Sequence, residues 1–340
     1  MSLMESNSNG QIEDVETDAT EANIDTGGLQ IDAAPADKQK ADSVSAVDVI
    51  NSTINGFSET GTEALKAECY KVIKKYLKQT AKEHLCCDTY NVLILHDNGA
   101  LVKGDADRIY NAVTDFPEKK PILLILYSPG GDAGSAYLIG KLCIDNSGGR
   151  FIIAVPRMAK SAATLICCAA NEIHMGSLSE LGPIDPQINE LPALGLKNSV
   201  EHIAELVKNH PASSEMFANY LNSSLPLIHL GYYERVAESA MQYAEKLLNS
   251  HRNELKKDVK GIANELVYKY KDHSFVIDKS EAEEIFGSEI IKTNTPEYEL
   301  GNSLYSALTF INRIADMMNH NFYFTGSFES DPVFTKKRGR

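Results

Sequence analysis

No stretch of this 340-residue chain approaches the roughly 18 consecutive apolar residues of a membrane helix, so the sequence predicts no membrane span. Dense basic patches are missing too. The one basic run is Lys336-Lys337-Arg338-Gly339-Arg340, and a free end of that kind is more often solvated than binding. At a formal net charge of -14, no nucleic-acid partner is expected, because neutralising phosphates requires basic surface. Among Cys69, Cys86, Cys87, Cys143, Cys167 and Cys168 there is no Cys-x-x-Cys, which speaks against a zinc site or a disulfide framework and fits a reducing cytoplasm. No His-x-x-x-His or Glu-x-x-His cluster, Walker loop or Gly-x-Gly-x-x-Gly fingerprint occurs. No metal and no cofactor are therefore expected, and an ATP-driven motor would have to be another chain. The start of the chain lacks the positive charge of a secretory signal, and a cytoplasmic protein is expected.

What is present is ordinary for a soluble globular protein, with 43% hydrophobic residues. The acidic side chains from Glu5 to Asp42 face only Lys38 and Lys40, in a segment almost free of aromatics. Residues 1–45 are therefore expected to be a disordered acidic leader, which cannot bury enough apolar surface to offset its ordering entropy. Firm order is expected from Thr62, where Ala64, Leu65, Cys69, Val72, Ile73, Tyr76 and Leu77 follow helical spacing. Apolar β-type runs at Tyr90–Leu95, Pro121–Tyr127, Arg150–Val155 and Glu172–Met175 alternate with helical segments at 105–115, 133–146 and 161–170. That alternation predicts an α/β fold with a mainly parallel, doubly covered sheet. From Pro192 the pattern turns helical, including a long segment over 228–270 and another over 296–320, interrupted by a β-like run at His273–Ile277.

Two segments carry the chemistry. Strand 121–127 ends in Ser128-Pro129-Gly130-Gly131, where proline fixes a turn and two glycines let backbone N–H groups approach a ligand; Gly130 and Gly131 are the candidate oxyanion donors. One strand later, Lys160-Ser161-Ala162-Ala163 opens a helix, with small neighbours leaving room around the Ser161 hydroxyl. Taken singly, the first is also the pattern of a plain strand–helix turn and the second that of a capping serine. In this order and spacing they form an oxyanion loop followed by a nucleophile, the two parts that acyl transfer needs.

Together these segments resemble the ClpP/crotonase superfamily. More specifically, Ala159-Lys160-Ser161-Ala162-Ala163-Thr164, then Ser179-Glu180-Leu181-Gly182-Pro183-Ile184-Asp185-Pro186-Gln187, and later His273-Ser274-Phe275-Val276-Ile277-Asp278, look like the serine dehydrogenase proteinase family, a relative of signal peptide peptidase A. The resemblance spans roughly residues 88 to 290, with Ala163 where the family commonly has glycine and His174 where an aliphatic residue is usual. It implies a ClpP/crotonase-like spiral of β-β-α units with a helical C-terminal part. The expected organisation is then leader 1–45, peptidase domain 46–290, and a C-terminal helix and tail over 291–340.

A serine hydroxyl needs a base. The ClpP-type answer is a histidine about twenty-five residues downstream, yet none occurs between His174 and His202. Signal peptide peptidases use a Ser–Lys dyad instead, and Lys197, flanked by Leu196 after a proline-rich loop, is the matching candidate here. Lys160 is adjacent to Ser161, but consecutive helical side chains point about 100° apart, so it is expected to face solvent or a carboxylate. His273 is the alternative base, and Asp185 could orient either one. The expectation is a serine endopeptidase acting on peptide or protein substrates, with a homo-oligomer implied by the resemblance. A crotonase-like acyl-CoA hydrolase or isomerase and a catalytically inactive oligomeric scaffold stand as alternatives.

Overall fold

A computed structural model of the protein describes residues 43–185, 187–188, 191–224 and 227–337. The expected leader lies outside the described residues as far as residue 42. The chain enters helix α1 (Ala46–Phe57) through a reciprocal cap, the Asp48 N–H donating to Ser45 Oγ at 3.3 Å and the Ser45 N–H to Asp48 Oδ2 at 2.8 Å. This helix was not apparent from a sequence dominated by β-branched and short polar residues, and packing of Val49 and Phe57 compensates for weak intrinsic propensity. Helix α2 (Glu63–Lys82) begins where expected, with the Thr62 hydroxyl accepting from the Leu65 N–H.

Strands and helices then alternate: β1 (Asn91–His96), α3 (Lys103–Thr114), β2 (Ile122–Tyr127), α4 (Ala133–Asn146), β3 (Phe151–Val155), β4 (Met158–Ala159), α5 (Ala162–Cys167), β5 (Glu172–Met175) and β6 (Glu180–Leu181). A short hairpin, β7 (Gln187–Ile188) and β8 (Leu191–Pro192), leads into α6 (Ala193–Asn209), α7 (Ser214–Ser224) and α8 (Leu227–Leu248). The chain closes with α9 (Val259–Asn264), α10 (Lys279–Phe286), β9 (Ile291–Lys292), α11 (Pro296–Met317), β10 (His320–Gly326) and β11 (Val333–Lys336). The protein is a mixed α/β molecule around a seven-stranded sheet of order β11-β10-β1-β2-β3-β5-β9. The run from β1 to β9 is parallel, and β10 and β11 add antiparallel at one edge.

Strand periodicity explains how two layers of helix cover this sheet. Leu93, Leu95, Ile122, Leu124, Ile153 and Val155 point to one face and pack with Ile109 of α3, Ile139 of α4, Leu165 of α5 and Leu247 of α8. Their neighbours Val92, Ile94, Leu123, Ile125, Ile152 and Ala154 point to the other, against Ile73 of α2 and Leu304 and Leu308 of α11. Both faces being buried, the strands read as continuous apolar runs.

Three expectations need correcting. The long helical segment over 228–270 is broken, because α8 ends at Leu248 and Asp258 caps a separate α9 by accepting from the Gly261 N–H at 3.0 Å. The run His273–Ile277 is not a strand; only Ile277 pairs, exchanging two hydrogen bonds with Leu181. Residues 291–337, expected as a helix and tail, supply β9, α11, β10 and β11, and Ile94 of β1 pairs directly with Gly326. Within the basic C-terminal run, Lys337 pairs with Asp316 at 2.8 Å.

Candidate active site

Strand β2 delivers Ser128 to the carboxyl end of the parallel sheet, the side on which open α/β sheets bind ligands. The loop that follows is clamped from both sides. Ser128 N–H donates to Met158 O and Lys160 N–H to Ser128 O, while Leu101 N–H donates to Gly130 O at 2.7 Å and Asp132 N–H to Leu101 O at 2.9 Å. Asp132 then caps α4 through Ser135. Both glycines are required by geometry: Gly130 has φ 99° and a Cβ there would lie 2.8 Å from Ser161 Cβ, while Gly131 has φ 149° and would meet Leu101 N at 2.3 Å.

Gly130 is therefore the position that lets this loop lie against the serine, and its N–H already donates to Ser128 Oγ at 3.1 Å. Among the described residues, no acceptor meets the N–H of Gly131 or of Ala162, the first residue of α5.

Ser161 has φ 51° and ψ -117°, and its side chain makes no capping bond. A non-glycine residue at positive φ stores strain of order 1–3 kcal/mol, and here it turns the hydroxyl out of the helix start. Helix α5 is shorter than expected, Ala162–Cys167, so what it offers the serine is chiefly its first N–H. Behind the turn, the buried Thr164 hydroxyl lies 2.7 Å from the carbonyl oxygens of Ala159 and Gly182 and accepts from the Gly182 N–H at 3.1 Å. That bond set fixes the Gly182–Pro183 loop, and hence Asp185, relative to α5. Sequence reading quoted Thr164 but gave it no role; the hydroxyl within a run of alanines was the available signal.

Ser161, Gly130, Gly131 and His273 line one cavity of about 580 Å³, together with Ile184 and, from α8, Val236 and Ala240. Asp185 is buried at the rear, its Oδ2 3.8 Å from His273 Nδ1, with side chains 5% and 35% exposed. The two atoms stand beyond hydrogen-bond distance, a spacing that unliganded catalytic groups often show. The carboxylate of Asp272, beside His273, is held below its ordinary range first by the backbone N–H and then by the hydroxyl of Ser274. Lys197 lies on α6, but its side chain is outside the described residues. Lys160 meets the expectation of a carboxylate partner, pairing with Glu180 at 3.2 Å.

Residues 93–221 match the ClpP-like SDH-type serine proteinase family. The stretch contains Gly130, Gly131, Ser161, Asp185 and Lys197, while His273 lies beyond it. The match agrees with the resemblance read from the motifs, and the mixed α/β fold with its mostly parallel sheet agrees with both. Two proteins described as uncharacterized, both from the archaeon Methanocaldococcus jannaschii, are similar in sequence. One is 38% identical over 97 residues, covering 28% of this chain and 34% of the relative. The other is 28% identical over 198 residues, covering 58% of this chain and 61% of the relative. The chain therefore spans about a third and about three fifths of the lengths of these relatives. Among the described residues no group of acidic, His and Cys side chains could hold a metal ion, and no helix is long and apolar enough to cross a membrane.

Proposed function

We propose that this protein is a serine peptidase that cleaves peptide bonds through an acyl-enzyme on Ser161. The observation that carries the reading is the convergence of Ser161, the Gly130–Gly131 loop and His273 on one cavity, with Asp185 behind the imidazole. The turn of Asp185 towards Nδ1 leaves Nε2 for the serine. His273 takes the Ser161 proton as Oγ attacks the substrate carbonyl, and the Gly131 and Ala162 N–H groups receive the developing oxyanion. The C–N bond then breaks, the amine leaving with the proton from His273, and water hydrolyses the Ser161 ester with the same base. The triad is thus ordered Ser–Asp–His along the chain, with His273 filling the place for which Lys197 is the sequence-based candidate. We further propose that it acts on peptide or protein substrates as a cytoplasmic homo-oligomer without metal or cofactor.

Labelling with a fluorophosphonate, followed by turnover of casein or short peptides, tests the reading. The wild type takes label and degrades substrate, Ser161→Ala does neither, and His273→Ala loses on the order of 10³-fold or more in rate. Lys197→Ala within about threefold of wild type assigns the base to His273; the reverse pattern restores the Ser–Lys dyad. Absence of label and turnover in the wild type at every pH from 5 to 10 would discard peptidase activity. Coenzyme A thioester binding unaltered in Ser161→Ala would then point to the crotonase-type alternative, and neither activity to a scaffold.

A further inference from the structure

The proposed base does not sit on the scaffold that holds the nucleophile. His273 lies on a strap between Lys269 and Lys279 that has no helix or strand of its own. Its internal ties are local: Asp272 Oδ1 accepts from Ser274 N–H at 2.9 Å and from Ser274 Oγ at 2.8 Å, and the Phe275 ring packs tilted against Tyr270 with centroids 4.7 Å apart. At its far end Ile277 exchanges backbone hydrogen bonds with Leu181. Something must fix the middle of the strap, because misplacing a reacting group by about 1 Å can cost on the order of 10²-fold in rate.

Lys160 is built to do this. It immediately precedes Ser161, its side chain is only 15% exposed, and its stem crosses Gly182 so closely that a Cβ there would lie 2.7 Å from Lys160 Cδ. The ammonium reaches the strap, donating to Ser274 O at 3.3 Å and Phe275 O at 3.4 Å, with Glu180 Oε2 at 3.2 Å as counter-ion. Three acceptors thus match the three donors of the ammonium, an arrangement for holding chain segments together. Both carbonyls belong to the two residues that follow His273. A free surface lysine would show none of this: its stem would be solvated and its head unpaired.

We propose that Lys160 is a positioning residue that locks the His273 strap to the turn carrying Ser161, so that imidazole and hydroxyl stay in register. The proposal rests on the serine-peptidase reading with His273 as base. Lys160 touches neither substrate nor the transferred proton, and it acts through His273.

The test compares fluorophosphonate labelling rates of the wild type, Lys160→Met, Lys160→Arg, His273→Ala and the Lys160→Met/His273→Ala double variant. Lys160→Met is expected to slow labelling about ten- to a hundredfold, and Lys160→Arg, which keeps charge and reach, to recover most of it. In the His273→Ala background, Lys160→Met should change the residual rate by less than about twofold. Wild-type labelling by Lys160→Met, or an equal slowing in both backgrounds, would overturn the proposal, since general loosening of the serine turn does not depend on His273. Amide hydrogen exchange over residues 270–277 gives a readout independent of activity: it should accelerate in Lys160→Met, and unchanged exchange sinks the tether. If the wild type takes no label, the peptidase reading fails and exchange still decides whether Lys160 holds the strap. Should Lys160→Met not fold, Glu180→Gln, which weakens the anchor with the lysine in place, is expected to act in the same direction and less strongly, and no effect on either readout counts against the tether.

Discussion

Ser161 carries a conformational cost that its neighbours do not. At φ 51° it occupies backbone space that glycine enters freely and other residues avoid. Ser161→Gly is therefore expected to be more stable than Ser161→Ala by about 1 kcal/mol, measured by urea unfolding, while both are inactive. A result in which Ala is the more stable of the two would show that the turn is unstrained. Gly130→Ala should act in the opposite sense, because φ 99° and a 2.5 Å approach to Lys160 O leave no room for a methyl group. It is expected to cost about 2 kcal/mol or more and to abolish labelling of Ser161, since the loop can no longer lie against the nucleophile. Sequence patterns identified both residues by type and order. They could not reveal that the Gly130 N–H is engaged by the Ser128 side chain two residues away, or that the serine leaves the helical region before the helix begins, since residue type and order do not fix backbone dihedral angles or side-chain rotamers.

Among the elements, those rich in apolar side chains and bounded by turn residues were readable: β5 and α4 occupy the residues expected, β2 and β3 start one residue later than expected, and β1 is shifted by one residue. The elements that escaped are held by tertiary contacts. Helix α1 is poor in strong helix formers and is held by its cap and by burial of Val49 and Phe57, while β10 follows a helix whose periodicity continues to its end. Its aromatic run Phe322-Tyr323-Phe324 was the signal available, and Phe324 is fully buried against β1. Phe324→Ala is expected to lower stability by about 3–5 kcal/mol, by urea or thermal unfolding; a loss below about 1 kcal/mol would mean that the C-terminal hairpin is an ornament and not part of the core. The strap around His273 was misread for a related reason: a β-like composition does not make a strand where only Ile277 has a pairing partner. Thus a residue named only as the alternative base lines the same cavity as the serine, because packing and not sequence spacing brings it there.

At the scale of the whole molecule, burial of ionisable groups fixes how stability depends on pH. Desolvation lowers His96, enclosed next to Tyr127, to about 3, and lowers His251 to about 4, both from an ordinary 6.5. Both are neutral in the fold, so as pH falls below 6.5 the unfolded chain takes up protons that the native state refuses. The stability loss begins there and continues towards pH 4, at roughly 2–3 kcal/mol for each histidine. Glu172, held at about 2 first by its bond to His174 and then by Arg150, adds a further loss once pH falls below the ordinary carboxylate value of 4.5. Urea midpoints should accordingly decline from pH 7 to pH 4, and His251→Gln should flatten part of that slope. A midpoint constant over this interval would contradict the buried neutral state of both histidines.

The pairing of Ile94 with Gly326 also bears on how the protein is made. One edge of the parallel sheet stays open until a partner strand more than two hundred residues downstream has been made, and topologies dominated by such distant partners close slowly. During synthesis β1 therefore waits as an uncovered hydrogen-bonding edge while all the residues between it and β10 are translated, which is the period in which a chaperone would have the most to protect.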